Sequence, residues 1–284
     1  KPKLISFQKT HGIGVHRFDM DKDYAYISTE MPGFIGNILV TYDIRNPAKP
    51  EEVSKWWMPG QHIAGGEKPT WPGRQHRLHH TLRFGNELWA GCWHGGVRVI
   101  DVTDIRQPKT VGSFNYHPPY PEPSHTFMPV MKKLDGKRIA VAIDEEDHAH
   151  DAEEMARRRG RPHGCLWILD VTDLSNIKPL SLFEVSELDS PWSRTTPGRF
   201  GAHQFQENWK GGDTLLYCAW FAGGLRIVDV ADPSAPQEVG WYIPEPCGGK
   251  PCPQTNDTDV DDRGLVYVVD RYCGFDILEY NGRR

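Results

Sequence analysis

Four histidines, His16, His80, His125 and His203, open corresponding segments of an internally repeated sequence, and Asp257 opens a fifth. The register comes from counting. His16, His80 and Asp257 each lie eight residues before an apolar run of strand character, at Tyr24, Leu88 and Leu265, while His125 and His203 precede Ile139 and Leu215 across longer turns. Imidazoles recurring at one register of a rotational repeat would face a common axis. Neutral imidazole ligates Fe(II), Cu, Zn and Mn, so the column predicts a mononuclear site for a divalent transition metal, Fe(II) first, with Cu, Zn or Mn as alternatives. Imidazoles bonded to strand backbone around a narrow channel would produce the same column without a metal. Asp257 is expected beside the metal, first as an acceptor for a ligand histidine, with a fifth ligand or a substrate contact as alternatives. Asn256 and Asp259 compete for its place, because the length of the turn there is ambiguous.

Counting from the matching strands gives a second ring of Glu30, His94, Glu145, Phe221 and Arg271. Glu145 or Glu30 would serve as general acid or base, His94 adds a further polar group, and Arg271 would hold a carboxylate or enolate through two parallel hydrogen bonds. Each of these also suits an ordinary polar turn. Trp93, Trp220, Phe221 and Tyr272 would form an aromatic wall for a substrate with a ring or apolar portion. His79 should point to the opposite side of its strand from His80, because strand side chains alternate. His11, His62, His76, His117 and His163 have no counterpart in the other repeats and read as loop histidines. No GxSxG elbow, phosphate-binding loop, HExxH or paired CxxC occurs.

The elements that must position these residues are short strands. Five segments share an ending: NILVTYDIRNP, GVRVIDVTDIRQP, CLWILDVTDLSNIKP, GLRIVDVADPSAP and GFDILEYNG. Asp43, Asp101, Asp170, Asp229 and Glu279 occupy one column, 58, 69, 59 and 50 residues apart. A period of that size with strand character indicates a propeller or solenoid. Each repeat resolves into four strands, as in HTLRF, ELWAGCW, GVRVIDV and KTVGSF, but the last stops after three. Residues Pro2 to Phe7, PKLISF, match PQEVGW and PEEVSK and are expected to supply the missing strand and close the ring. The expected architecture is thus all-β, a five-bladed β-propeller in a single domain. Its blades span about 8–57, 79–115, 124–185, 202–243, and 256–284 with 1–7. In up-and-down blades the long Pro-, Trp- and His-rich connections gather on one face, where binding and catalysis usually reside. An insertion at 144–164, acidic first and basic last, suits a short lid-like helix carrying His148 and His150.

Composition supports this reading. The chain of 284 residues carries 28 Gly and 23 Pro and has few runs of helical periodicity. Its net charge of −5 is spread along the chain, with RRRGR at 157–161 the one basic cluster, which argues against a nucleic-acid footprint. No apolar stretch reaches the roughly 18 residues of a membrane span. No signal-peptide pattern opens the chain, so a cytoplasmic location is the first expectation. The start at Lys1 leaves an upstream segment, and with it periplasmic or secreted export, open. Cys92 and Cys218 read as buried thiols, while Cys247 and Cys252 in CGGKPC either bond to each other or stay reduced.

The wording LRIVDVADPSAP resembles the LVIVD-repeat β-propellers, and the resemblance extends along essentially the whole chain. It implies the fold but little about chemistry. The four-histidine pattern by itself resembles the sites of carotenoid-cleavage oxygenases and of the selenium-binding protein/methanethiol oxidase group. Those resemblances imply a metal-dependent oxidoreductase acting on a small organic, aromatic or anionic, substrate. The residues equally admit a metal-dependent lyase, hydrolase or isomerase using Glu145, Glu30 and Arg271, or a binding propeller without catalysis.

Overall fold

The computed structural model describes residues 1–147, 162–195, 197–209 and 213–282. It is all-β, with nineteen strands among the described residues. They form antiparallel meanders in chain order. The first contains β1 (His11–Met20), β2 (Tyr24–Glu30), β3 (Ile38–Asp43) and β4 (Glu51–Trp56); the second contains β5 (His76–Phe84), β6 (Glu87–Trp93), β7 (Val97–Asp101) and β8 (Lys109–Phe114). The third contains β9 (Ser124–Leu134), β10 (Lys137–Asp144), β11 (Leu166–Asp170) and β12 (Lys178–Phe183). The fourth contains β13 (Ala202–Phe205), β14 (Leu215–Trp220), β15 (Gly224–Asp229) and β16 (Gln237–Tyr242), and the last contains β17 (Thr255–Val260), β18 (Leu265–Asp270) and β19 (Gly274–Glu279). The chain divides into two compact units, residues 1–118 with 174–176, and residues 119–173 with 177–284. No described helix is long and apolar enough to cross a membrane.

The repeated aspartates have a clear local role. Asp43, Asp101, Asp170 and Asp229 each end the third strand of a meander and accept the backbone N–H two residues on, at 2.8 to 3.0 Å. A short carboxylate bonding its own chain in this way imitates a backbone turn and stops the ladder. At the other end of that strand the second and fourth meanders require a glycine. Gly224 has φ +77°, and a Cβ there would lie 2.3 Å from the Tyr242 carbonyl oxygen; Gly96 repeats the arrangement against Phe114. In the first unit, Tyr26, Leu39 and Trp56 pack on Leu78, Leu88, Cys92 and Ile100, so the core lies between the first two meanders. In the second unit, Leu215, Tyr217, Leu225 and Ile227 pack on Val266 and Val268. Cys92 and Cys218 are buried thiols in these strands, and burial pushes the Cys92 pKa up to about 12.

The first strand of every meander is bulged near its start. Ladder pairing skips His16, skips residues 77–79, and skips His125, His203 and Asn256. A bulge inserts a residue without a cross-strand partner, so it reverses which side the next side chain faces. The residue just before regular pairing resumes is therefore His16, His79, His125, His203 and Asn256. At two of the five positions this differs by one from the column counted in sequence.

Two further features differ from the reading of the sequence, and a third lies largely outside the described residues. Residues 2–7 form no strand, and Leu4, Ile5 and Phe7 are exposed; the last meander has three strands, with Phe275 and Ile277 exposed. The segment PKLISF has no ladder bonds to described strands, and the Ser6 hydroxyl donates to the Pro47 carbonyl at 2.6 Å. Cys247 bonds Cys273, not Cys252, with the two Cα atoms 5.7 Å apart. Most of the expected lid, with His148, His150 and the basic cluster, lies outside the described residues.

Candidate functional site

Within the second unit the bulges on β9 and β13 bring two imidazoles together. The rings of His125 and His203 lie 4.4 Å apart, and both side chains are buried. Each is oriented through Nδ1. That of His125 lies 2.8 Å from the Thr126 hydroxyl, and that of His203 is bonded to the Asn256 carbonyl. A carbonyl only accepts, so Nδ1 of His203 carries the proton, and in the neutral ring the lone pair sits on Nε2. Both Nε2 atoms face one carboxylate: His203 Nε2 is 3.7 Å from Glu145 Oε1, and His125 Nε2 is 3.9 Å from Glu145 Oε2. Acceptors converging in a buried site repel unless a proton or metal cation lies between them.

Glu145 follows β10 directly, and its backbone N–H donates to the Pro123 carbonyl at 2.8 Å. Burial is the main influence on its carboxyl and raises its pKa, with Asp147 adding to the rise and Arg199 and Arg271 opposing it. Arg199 Nη1 donates to Glu145 Oε1 at 2.7 Å and to the Glu146 carbonyl at 3.1 Å. Its guanidinium carbon lies 3.8 Å from the centre of the Phe221 ring, and that of Arg271 lies 5.2 Å from the same centre. Arg271 is half-exposed; its Nε donates to Asn256 Oδ1 at 2.5 Å, and its Nη2 stands 4.0 Å from Glu145. Asp147 also acts on Glu145 and Arg271, so two carboxylates balance the two arginines, and the half-exposed guanidinium of Arg271 is the group placed to meet an anion.

Gln254 ties the two arginines together. Its side chain accepts from the Arg199 N–H at 3.1 Å and donates to the Arg199 carbonyl at 2.8 Å, while its own carbonyl accepts from the Arg271 N–H at 3.1 Å. Asp270 fixes the same turn, accepting from the backbone N–H groups of Gln254, Tyr272 and Cys273 at 2.6, 2.8 and 3.1 Å. Arg199, Gln254 and Asn256 were not singled out as principal site residues by the repeat. The signals available were position only: Arg199 lies four residues before His203, and Gln254 lies two before Asn256.

Beside this site a buried ion cluster holds the neighbouring chain. His163 Nδ1 lies 2.7 Å from Glu146 and its Nε2 lies 3.2 Å from Glu187. Burial opposes the charge on His163, but the bonds to Glu146 and Glu187 outweigh it and raise its pKa to about 9. His163 is therefore a structural imidazolium, more than a loop histidine.

In the first unit the ring packed edge-on against His16, at 4.7 Å, belongs to His79; His79 also stacks on Trp93 at 5.4 Å. His80 is perpendicular to His79 at 6.2 Å and fully buried, and desolvation, followed by Arg17, holds its pKa well below the ordinary value. Burial and then Arg77 and Arg17 also lower the pKa of His16. Trp93 adopts φ +54°, a strained conformation for a bulky residue, with the Arg77 guanidinium 4.4 Å from its ring centre. His94 is buried with its ring 5.5 Å from that of His117. Glu30 accepts the Ile13 N–H at 3.2 Å.

Of the expected aromatic wall in the second unit, Phe221 lies in the site. Trp220 is fully buried with its ring edge-on to Phe183, and Tyr272 is half-exposed under Lys250. Asp257 bonds the Thr258 N–H at 2.9 Å, and it is Asn256 that reaches His203 and Arg271.

Residues 214–243 match the LVIVD repeat family model, so the chain carries that repeat. No curated protein matches the sequence. Among solved structures, a protein from Lactobacillus plantarum is 10% identical with a TM-score of 0.59, over 96% of this chain and 72% of that one. The fission yeast SREBP-SCAP binding domains are 12% identical with a TM-score of 0.50, over 99% of this chain and 62% of theirs. A hypothetical selenium-binding protein from Sulfolobus tokodaii is 11% identical over 87% of this chain and 66% of that one, with a TM-score of 0.41, too low to carry an argument. These likenesses show a propeller-like fold and nothing about activity.

Proposed function

We propose that this LVIVD-repeat, propeller-like chain is a metal-dependent enzyme, an oxidoreductase acting on a small organic anion. The observation that carries the reading is the convergence of His125 Nε2 and His203 Nε2 on the Glu145 carboxylate. The donor types suit a divalent transition metal: two imidazoles directed by bonds to their other nitrogens, and a carboxylate whose second oxygen is not the one bonded to Arg199. Fe(II) is the first choice, with Cu, Zn or Mn as alternatives. When bound, such an ion would supply Lewis acidity or redox chemistry. Arg271 would orient the anion, Phe221 would cover its apolar part, and Arg199 would hold Glu145 in place. The elevated pKa of Glu145 supports a second reading, in which it moves a proton in a lyase, hydrolase or isomerase reaction.

The same proposal includes five blades, with Pro2 to Phe7 closing the last. The Cys247–Cys273 disulfide favours an oxidising compartment, periplasmic or extracellular, over the cytoplasm. Elemental analysis of protein purified without added metal tests the central claim. About one divalent transition metal per chain is expected, lost in His125→Ala and in His203→Ala. Absence of stoichiometric metal from the parent protein would refute the reading. Oxygen uptake with small aromatic or keto acids then separates oxidation from acid–base chemistry, which would proceed anaerobically. Protection of the Leu4 to Phe7 amides from hydrogen exchange is expected if those residues close a blade.

A further inference from the structure

Apart from the site around Glu145, a cavity of about 560 Å³ lies in the second unit, lined by the loop after Glu187 on one side and by β16 and the residues following it on the other. Its floor is Arg226, a fully buried guanidinium. Nε donates to the Gly223 carbonyl at 2.8 Å, Nη2 to the Asp189 carbonyl at 3.0 Å and Nη1 to the Glu238 carboxylate at 3.2 Å. Arg226 thus joins the two walls and is neutralised by Glu238. The loop wall is rigidly built. The Ser190 hydroxyl donates to the Ala222 carbonyl at 2.6 Å and accepts from the Trp192 N–H at 3.1 Å, and Glu187 is bonded to Arg194 at 2.9 Å. A site this preorganised need not order its own loop on binding.

The lining combines two indoles, Trp192 and Trp241, with three carboxylates, Asp189, Glu238 and Glu245. Trp241 is 64% exposed, a large apolar ring left in water. Three carboxylates against one guanidinium leave two net negative charges, and Asp189 and Glu245 pair with no cation among the described residues. The charge disfavours an anion. The three carboxylates do not approach closely enough to share a metal ion. A neutral sugar could stack on the indoles but would leave the charge unmatched. Tryptophan faces beside unpaired carboxylates attract an organic cation through both the ring quadrupole and direct Coulomb attraction. We propose that this cavity binds an alkylated ammonium compound, with its charged head against Trp192 and Trp241 and its stem along Leu188 and Pro191. The site is separate from that around Glu145 and does not depend on the function proposed for it.

Calorimetric titration of the whole protein with choline, and with 3,3-dimethylbutan-1-ol as its uncharged isostere, tests the proposal. Saturable binding of choline is expected, at least about tenfold tighter than the neutral alcohol and weakened by salt. Trp241→Ala should raise the choline Kd about two- to fivefold, and Asp189→Asn with Glu245→Gln by a similar factor. Trp241 is exposed, so its variant should fold with an unchanged melting temperature. Equal binding of the neutral alcohol, tighter binding of glucose or maltose, an unchanged Kd in Trp241→Ala, or no saturation by about 20 mM choline would each overturn it.

Discussion

The imidazolium of His163 should make this protein lose stability between neutral and mildly alkaline pH. Both ring nitrogens face buried or half-buried carboxylates, at 2.7 Å for Glu146 and 3.2 Å for Glu187, and the folded pKa is about 9 against 6.5 for an ordinary histidine. Because the folded value is raised, the contribution is full below pH 6.5 and is lost as pH rises through 9. The shift is worth about 3 kcal/mol below pH 6.5, about 2.5 kcal/mol at pH 7 and about half a kcal/mol at pH 9. The assay is urea unfolding of the parent and His163→Gln at several pH values from 6 to 9.5, followed by tryptophan fluorescence. The difference between the two proteins should shrink steadily across that range, since glutamine carries no titrating charge. A difference that stays constant with pH, or a parent whose stability is flat from pH 6.5 to 9, would refute the reasoning.

Reduction of Cys247–Cys273, which closes a separation of 26 residues, should cost about 3 to 4 kcal/mol of stability, read as a lower melting temperature in dithiothreitol and no such change in Cys273→Ser. Gln254→Leu removes two buried hydrogen bonds to Arg199 and should cost about 2 to 4 kcal/mol in urea unfolding. The same variant should weaken binding of a small carboxylate, measured calorimetrically, more than Asp259→Ala does. Gly224→Ala should destabilise by about 2 kcal/mol or more, because its Cβ would meet the Tyr242 carbonyl at a left-handed φ. Gly248→Ala, also at positive φ but in open space, should cost less.

Much of the fold was legible because its causes are local. The Asp column was read as a set of turns, and each of Asp43, Asp101, Asp170 and Asp229 makes the same bond to the residue two along. Strand alternation likewise located the four-strand repeat and the buried thiols Cys92 and Cys218. Around Glu145, the residues His125, His203, Phe221 and Arg271 were in the counted rings and share a site. Arg199 and Gln254 were missed because nothing in their spacing distinguishes them. Their roles come from loops that meet only after folding.

What the sequence by itself determined is the all-β repeat, its turns, and the imidazoles near the start of the inner strands, since period, turn chemistry and residue type are written along the chain. The tertiary structure decided which neighbour faces which way. Counting assumes an unbroken period of two, and one bulged residue reverses it, so His79 stands against His16 in place of His80, and Asn256 bonds His203 in place of Asp257. It also chose Cys273 over the nearer Cys252 as the partner of Cys247, because a disulfide follows distance in space and not along the chain.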